Sequence, residues 1–323
     1  MEGIETIVEH LNRSGPTSGS ELGEALGISR MAVQKRIQAL IDIGLPVSAT
    51  RGVGYMLDND VRLLQAGKIE SLLIPTIADL TESVEVFQSI ESTNSYLLTQ
   101  PFEVGKARVC LAESQSAGRG RRGNDWQSSP YRNIMLSLSW GFDHWPATIT
   151  GLGLAVGLVI SEYLNSEHGL GVKIKWPNDL LVGKDKLGGI LVDVSGESSG
   201  ACNVVIGLGL NVHQPNWSTE TDYQWQDLRG LGMSVDRNIL AADLVSVLSA
   251  MLSQFATSGF SPLTKRWNAL SSYADQTIRV GNAEQAQVGL MRGVDELGAL
   301  LLECDGKLQR IDDSSVSVRL VSS

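Results

Sequence analysis

Residues 115–123 read QSAGRGRRG, three glycines interleaved with three arginines. Glycine weakens the interior of a helix or a strand, so the chain crosses this stretch as a loop, and the fold must hold that loop between regular elements. Bare main chain lets a ligand come close from several sides while fixed positive charge surrounds it. The combination suits an anionic nucleotide. The plainer alternative is a solvated basic loop, since short motifs also match by accident. Arginine serves the first reading better than lysine, because its planar fork meets phosphate or carboxylate at two points.

The flanking segments give the loop its setting. Residues 109–112 read as a strand that delivers Glu113 and Gln115 into it. Upstream, Val84, Val86 and Gln88 alternate as a strand, and Ser92-Thr93-Asn94 stands just before the apolar Tyr96-Leu97-Leu98. A serine or threonine there is an N-cap for the next helix, and such a junction also leaves neighbouring hydroxyl and amide groups facing a pocket. Downstream, residues 133–140 (NIMLSLSW) alternate with serines on one face, and residues 148–164, rich in Gly and Ala, predict a buried helix with no chemistry of its own. Residues 172–176 alternate again and stop at Pro177, and Asn178 and Asp179 follow. A hairpin turn at residues 183–185 leads to Lys186 and the paired Gly188 and Gly189.

Residues 203–212 (NVVIGLGLNV) form a buried strand with Gly207 and Gly209 on one side; the third glycine and following helix of a dinucleotide fingerprint are missing. An isolated lysine is ordinarily a surface residue. Lys186 instead stands beside glycines that let main chain approach a ligand. Asp179 either orients a reacting group or makes a structural salt bridge, and Trp126 either stacks on a ligand or simply packs. Asn124-Asp125, just past the arginines, lowers the charge of the loop. Residues 215–228 read as a polar and aromatic loop without an assigned role.

The first sixty residues have a different character. Ile4, Ile7, Val8 and Leu11 make one apolar helical stripe. Ser18 or Ser20 caps a second helix that Gly27 ends, and Ser29 caps a third carrying Val33, Ile37, Leu40 and Ile41 inward. Helix, glycine turn and helix form a helix-turn-helix, and residues 45–57, turning around residues 51–54, add a two-stranded wing. Ser29, Arg30, Gln34, Lys35 and Gln38 on the third helix, with Arg51 on the wing, are the side chains placed to contact DNA. Five basic residues here (Arg13, Arg30, Lys35, Arg36 and Arg51) face eight acidic ones. A scaffold that docks protein is therefore the competing reading, and DNA binding needs the doubled contacts of a dimer.

Residues 58–80 hold one helix through Val61, Leu64 and Ile69 before Pro75 breaks the pattern. Residues 239–255 predict a long core helix. Past Trp267, segments 277–280, 286–295, 299–303, 307–311 and 316–320 read as short strands joined by Gly and Asp turns, which fit a small SH3-like barrel. The expectation is an α+β chain of three units: a winged helix-turn-helix over 1–64, a mixed-sheet α/β domain over 65–271 and the barrel over 272–323. The net charge of −10 excludes broad coating of nucleic acid, so any DNA contact is local. Cys110, Cys202 and Cys304 lack both metal-ligand spacing and the even count of a disulfide framework, which points to reduced thiols in the cytoplasm. The acidic start is no secretory signal, the apolar run 151–160 is too short to span a bilayer, and neither membrane nor protein-held metal is expected.

Taken in order, the Ser92 triplet, QSAGRGRRG with Trp126, KWPND at 175–179, KLGGI at 186–190 and GLGLN at 207–211 resemble the catalytic domain of biotin protein ligases. With the helix-turn-helix pattern before them, the whole chain resembles the bifunctional biotin protein ligase and biotin operon repressor family of bacteria. The resemblance implies a central domain of the biotin/lipoate ligase type that uses ATP, with Mg2+, to attach biotin through biotinyl-5'-AMP to a lysine of the carrier protein of acetyl-CoA carboxylase. It also implies an adenylate-bound homodimer that represses at biotin operator DNA.

By the same resemblance, Ser92, Thr93 and Asn94 bind the ureido ring of biotin. Gln115, Gly118, Arg119, Gly120, Arg121 and Trp126 contact biotin and the adenylate, and Arg122 has no settled role. Lys186, flanked by Gly188 and Gly189, meets the biotin carboxylate and the α-phosphate; Gly207 and Gly209 border the adenylate; and Asn211 meets the adenine edge. Lys186, Arg119, Arg121 and Asp179 are the catalytic set. The competing functions are a lipoyl or octanoyl protein ligase and a biotin-sensing repressor without catalysis.

Overall fold

The computed structural model describes residues 4–57, 61–146, 149–196, 200–214, 224–281 and 286–321. The chain begins with α1 (Ile4–Ser14), α2 (Gly19–Leu26) and α3 (Arg30–Asp42), followed by β1 (Val47–Thr50) and β2 (Gly54–Leu57), paired antiparallel as a wing. The expected stripe of α1 is buried, and Leu22, Val33, Ile37, Leu40, Leu45 and Leu57 close one apolar cluster with it. Ser18 caps α2 in a capping box with Glu21, and Ser29 caps α3 by accepting from the Ala32 amide. Gly27 turns the chain between them at φ 63, where a side chain would be strained.

The linker departs from its expected helix. Of the segment through Val61, Leu64 and Ile69, only the part from Ala66 is helical, as α4 (Ala66–Leu72). The amide of Leu64 donates to Glu113 Oε1 at 2.7 Å and that of Gln65 to Asn238 Oδ1 at 2.8 Å, so side chains distant in sequence hold these residues outside a helix. Pro75 opens the short α5 (Pro75–Ala78) from its first turn, where a proline lacks no needed donor.

The central unit then runs through β3 (Thr81–Phe87), α6 (Thr93–Leu98), β4 (Ala107–Ala112), β5 (Ile134–Phe142), α7 (Ile149–His168), β6 (Lys173–Lys175), β7 (Asp179–Val182), β8 (Asp185–Gly196), β9 (Cys202–Leu210), α8 (Arg237–Ser258) and α9 (Thr264–Leu270). Its seven-stranded sheet has the order β3-β4-β5-β9-β8-β7-β6; β3 and β4 are parallel and the other neighbours antiparallel. β5 is buried along its whole length. Leu136, Leu138 and Trp140 join the core with α7 and α8, while Ser137 faces α6, so the alternation predicted for this strand separates core from site.

Both α7 and α8 are long and apolar enough to cross a membrane, yet most of each apolar window is buried inside the protein. They are core helices of this fold. The last unit is a five-stranded antiparallel sheet of β10 (Thr277–Val280), β11 (Gln287–Val294), β12 (Leu300–Cys304), β13 (Lys307–Ile311) and β14 (Val318–Leu320), in the order β13-β12-β11-β10-β14. The small β unit expected after Trp267 is present, with β14 two residues shorter than the segment predicted for it.

Candidate active site

The sheet, the glycine-arginine loop and the end of the C-terminal unit enclose a cavity of about 700 Å³. β4 ends at Ala112 and delivers the loop, as its sequence predicts. The loop folds back as a small hairpin: the Trp126 amide donates to the Gly118 carbonyl at 2.8 Å and the Gly120 amide to the Asn124 carbonyl at 2.7 Å. Arg119, Gly120, Arg121 and Arg122 then line the cavity, with Arg122 in the left-handed region at φ 58.

One part of the wall is a hydrogen-bonded set built on the buried Thr93, Asn94 and Ser137. Ser92 caps α6, which puts Thr93 and Asn94 on its first turn. Gln115 Oε1 accepts from the Thr93 amide at 2.8 Å and from its hydroxyl at 3.1 Å. Ser137 Oγ lies 2.7 Å from Thr93 Oγ1 and 2.5 Å from Asn94 Oδ1, and Asn94 Nδ2 donates to Asp193 at 3.0 Å. Asp193 also holds Arg119 at 3.2 Å, which ties the polar wall to the cationic loop. Neither Ser137 nor Asp193 was among the expected site residues. The serine face of residues 133–140 was a usable signal for the first, and nothing local marks the second.

Two residues along the same strands, Asp179, Gly189, Gly209 and Met135 form one cross-strand row. Asp179 is buried, and its Oδ1 lies 2.6 Å from Lys186 Nζ while Oδ2 lies 3.3 Å from Lys175 Nζ. Burial alone would raise the pKa of Asp179; the two lysines outweigh it and hold the carboxyl below the ordinary range. Arg121 reaches the same corner, donating to Asn178 Oδ1 at 3.2 Å and to the Ser314 carbonyl. Its burial, and then Arg122, lower its pKa against the pull of Asp179 and Asp313.

Among the described residues, Arg119, Arg121, Arg122, Lys175, Lys186 and Arg319 are the cations lining the cavity, against the carboxylates of Asp125 and Asp179. A cavity of this balance favours a polyanion. Arg319 and residues 316–318 come from the C-terminal unit, nearly two hundred residues from the loop, and no motif announced them.

Trp126 packs within the protein and faces the cavity as well. Its indole covers Gly209, where a Cβ would stand 2.2 Å from the ring, and it meets Trp225 edge to face with centroids 6.0 Å apart. Lys186 Nζ lies 5.6 Å from the Trp126 ring centroid. A substituent at Gly207 would stand 2.3 Å from Asn94 Oδ1. These two glycines make room first for the protein's own side chains.

Ser92, Thr93, Asn94, Gln115, Arg119, Gly120, Arg121, Trp126, Asp179, Lys186, Gly189, Gly207 and Gly209 thus gather around one cavity, and Gly118, Gly188 and Asn211 do not line it. A Cβ on Gly118 would meet the Trp126 carbonyl at 2.5 Å, and one on Gly188 the Gly209 carbonyl at 2.7 Å; both serve the packing of main chain. Asn211 is buried, with Nδ2 donating to the carbonyls of Lys186 at 3.3 Å and Gln226 at 3.1 Å, so it braces the lysine strand. Within the expected 215–228 loop, residues 215–223 lie outside the described residues, and Trp225 lines the cavity.

On the N-terminal unit, Ser29, Arg30, Gln34, Lys35 and Gln38 are all exposed along α3, and Arg51 is exposed at the tip of the wing. Met31, 73% exposed, stands among them. Arg30 leans on Gly19 at the start of α2, and Gln38 donates to Asp42 at 2.9 Å.

Residues 86–211 match the biotin/lipoate A/B protein ligase family, and residues 4–56 match a helix-turn-helix domain. The chain is 39% identical to the bifunctional ligase/repressor BirA of Salmonella typhimurium over 94% of its own length and 93% of that protein. It is 33% identical to the biotin--[acetyl-CoA-carboxylase] ligase of Mycobacterium tuberculosis over 69% of this chain and 84% of the other. Among solved structures, the biotin protein ligase of Aquifex aeolicus in complex with biotin and ATP superposes with a TM-score of 0.65 at 22% identity, over 74% of this chain and 99% of that one, and so shares its fold.

Proposed function

The chain belongs to the bifunctional biotin ligase/repressor family, and from that premise we propose how its pocket and its first unit divide the work. The protein ligates biotin to protein with ATP and represses transcription through its helix-turn-helix unit. We assign the domains to 1–64, 65–271 and 272–323.

Thr93 and Asn94, both buried, and the half-buried Gln115 line the cavity and offer both donors and acceptors, which suits the ureido ring of biotin, with Ser137 fixing Thr93 and Asn94 from behind and Ser92 holding the turn. Lys186, Arg119 and Arg121 surround the reacting groups. A carboxylate oxygen of biotin attacks the α-phosphorus of ATP, the bond to the β-phosphate oxygen breaks, and pyrophosphate leaves with the electron pair. Fixed cations stabilise the charge that gathers on phosphate oxygens in that step. An acceptor lysine, as the neutral amine, then attacks the activated carbonyl; the bond from that carbon to the phosphate oxygen breaks, AMP leaves with the electron pair, and the nitrogen releases a proton to solvent as the amide forms.

Asp179, with both oxygens engaged by lysines, fits a positioning carboxylate better than a direct metal ligand. We therefore assign Mg2+ to the nucleotide, as MgATP. Gly118, Gly188 and Asn211 act one step behind the ligand, as braces for the loop and the lysine strand. The acceptor is the biotin carboxyl carrier protein. With acceptor scarce, retained biotinyl-AMP favours a homodimer whose two copies of Ser29, Arg30, Gln34, Lys35, Gln38 and Arg51 meet a palindromic operator. The three cysteines are free thiols, which suits the cytoplasm.

One observation carries the reading: the polar set of Thr93, Asn94 and Gln115 and a cation cluster share a single cavity of about 700 Å³, within the usual range for a small-molecule site. Transfer of labelled biotin to carrier protein in the presence of ATP tests it, with lipoate as the parallel substrate. Label entering from lipoate and not from biotin would overturn it. Operator retardation unaffected by biotin plus ATP would remove the proposed dimer switch.

A further inference from the structure

The glycine-arginine loop is closed at a neck, and the neck sits on the helix-turn-helix unit. Its ends are joined where the Tyr131 amide donates to the Glu113 carbonyl at 2.9 Å. At the entrance, the fully buried Glu113 accepts the Leu64 amide at 2.7 Å and pairs with Arg237 at 2.7 and 3.1 Å. Arg237 in turn donates to the Arg62 carbonyl at 2.6 Å. The entrance therefore grips the linker through both a donor and an acceptor of its main chain.

At the exit, Tyr131 is 1% exposed and belongs to the apolar cluster of the N-terminal unit, with Leu45, Val47, Leu57, Val61 and Leu63. Among the described residues it is the buried member of that cluster that the central unit contributes. Its backbone lies at φ 63, where an aromatic residue is strained unless its surroundings hold it. The preceding Pro130 abuts Gly44 so closely that a Cβ there would stand 2.7 Å from Pro130 Cγ. The Tyr131 hydroxyl has no hydrogen-bond partner among the described residues, so the ring is what this position uses.

We propose that Tyr131, mounted on the Glu113–Arg237 pair, transmits occupancy of the adenylate pocket to the DNA-binding unit. The inference rests on the reading of the pocket given above. A ligand that fixes residues 118–126 restrains a closed loop whose two ends are packed into, or bonded to, the neighbouring unit. Opening the core of that unit requires withdrawal of the Tyr131 ring, so the two equilibria are linked. Communication between pocket and operator face then needs no separate contact between the ligand and the first sixty residues.

Hydrogen exchange of the full chain, with and without biotin plus MgATP, tests this. The expected result is slower exchange in residues 115–127, at Leu64 and in α1 and α3, by up to about 100-fold with ligand near 100 times its dissociation constant. Tyr131→Phe keeps the ring and transmits as the parent does. Tyr131→Ala confines protection to the loop while biotin-dependent pyrophosphate exchange is kept. Protection of the loop without α1 and α3 in the parent chain overturns the inference alone, and absence of loop protection overturns the pocket reading together with it. Transmission in Tyr131→Ala equal to the parent, or its loss in Tyr131→Phe, also overturns it. Should the alanine chain fail to fold, the exchange map of the parent decides.

Discussion

Lys186 Nζ lies 2.6 Å from Asp179 Oδ1, and the second oxygen of the same carboxylate holds Lys175 at 3.3 Å. One buried acid thus fixes two cations at the wall of the pocket. Replacing Lys186 by Ala removes a donor that strengthens its contact as phosphate charge develops. Biotin-dependent pyrophosphate exchange is expected to slow by about 10²- to 10³-fold. An alanine variant as fast as the parent would refute the catalytic role of the lysine.

Asp179→Asn takes from Lys175 and Lys186 the buried carboxylate that they share. Breaking a buried pair from one side costs about 3–5 kcal/mol, to be read as a lower urea midpoint at unchanged slope. The sign of its pH dependence follows from the depressed carboxyl: the stabilisation is complete above the ordinary value of 3.8 and is lost as pH falls through the lower folded value. Between pH 5 and pH 8 this group therefore leaves stability flat. Parent and Asp179→Asn should converge only below about pH 4.

Ser137→Ala leaves Thr93 and Asn94 short of a buried partner. Loss of such a bond costs about 1–3 kcal/mol, on the order of 10- to 100-fold. It is expected in the KM for biotin, with the KM for ATP unchanged. Equal effects on both substrates would place the biotin head elsewhere.

Gly209→Ala drives a methyl into the Trp126 indole, which stands 2.2 Å from the ideal Cβ. Overpacking of this kind costs about 1–3 kcal/mol. Trp126→Leu in the same chain should recover part of the loss of stability. Additive losses in thermal melts of the two single variants and the double variant would show that the two positions do not meet in this way.

Arg30→Ala and Lys35→Ala alter exposed side chains that do not line the pocket. Removing a cation that neutralises one phosphate lowers the slope of log affinity against log salt by about 0.9 and weakens operator binding, while label transfer to carrier protein stays at the parent rate. A slope unchanged in both variants would move the DNA contact to another face.

The periodic parts of the chain were readable in advance. Ile4, Ile7, Val8 and Leu11 gave α1, and the serines of residues 133–140 marked the face of β5 that Ser137 brings to the site. Composition and spacing suffice where neighbours in sequence decide the outcome. The linker failed for the opposite reason: the helix through Val61 and Leu64 is pre-empted by Glu113 and Asn238, which capture its amides from far along the chain. Glycine was ambiguous for the same reason. Gly207 and Gly209 signal close approach, yet the groups that approach are Asn94 and Trp126. Asp193 and Arg319 carry no motif at all and reach the site only through topology.

Arg121 bonds to the Ser314 carbonyl, and residues 316–319 form part of the cavity wall. The final β unit is therefore part of the reaction vessel, even though it bears none of the recognisable motifs. A chain cut after residue 313 would retain every signature by which such an enzyme is recognised and still leave its activated intermediate open to water on one side. Affinity handles and fusion partners are accordingly better joined where they do not crowd this last strand.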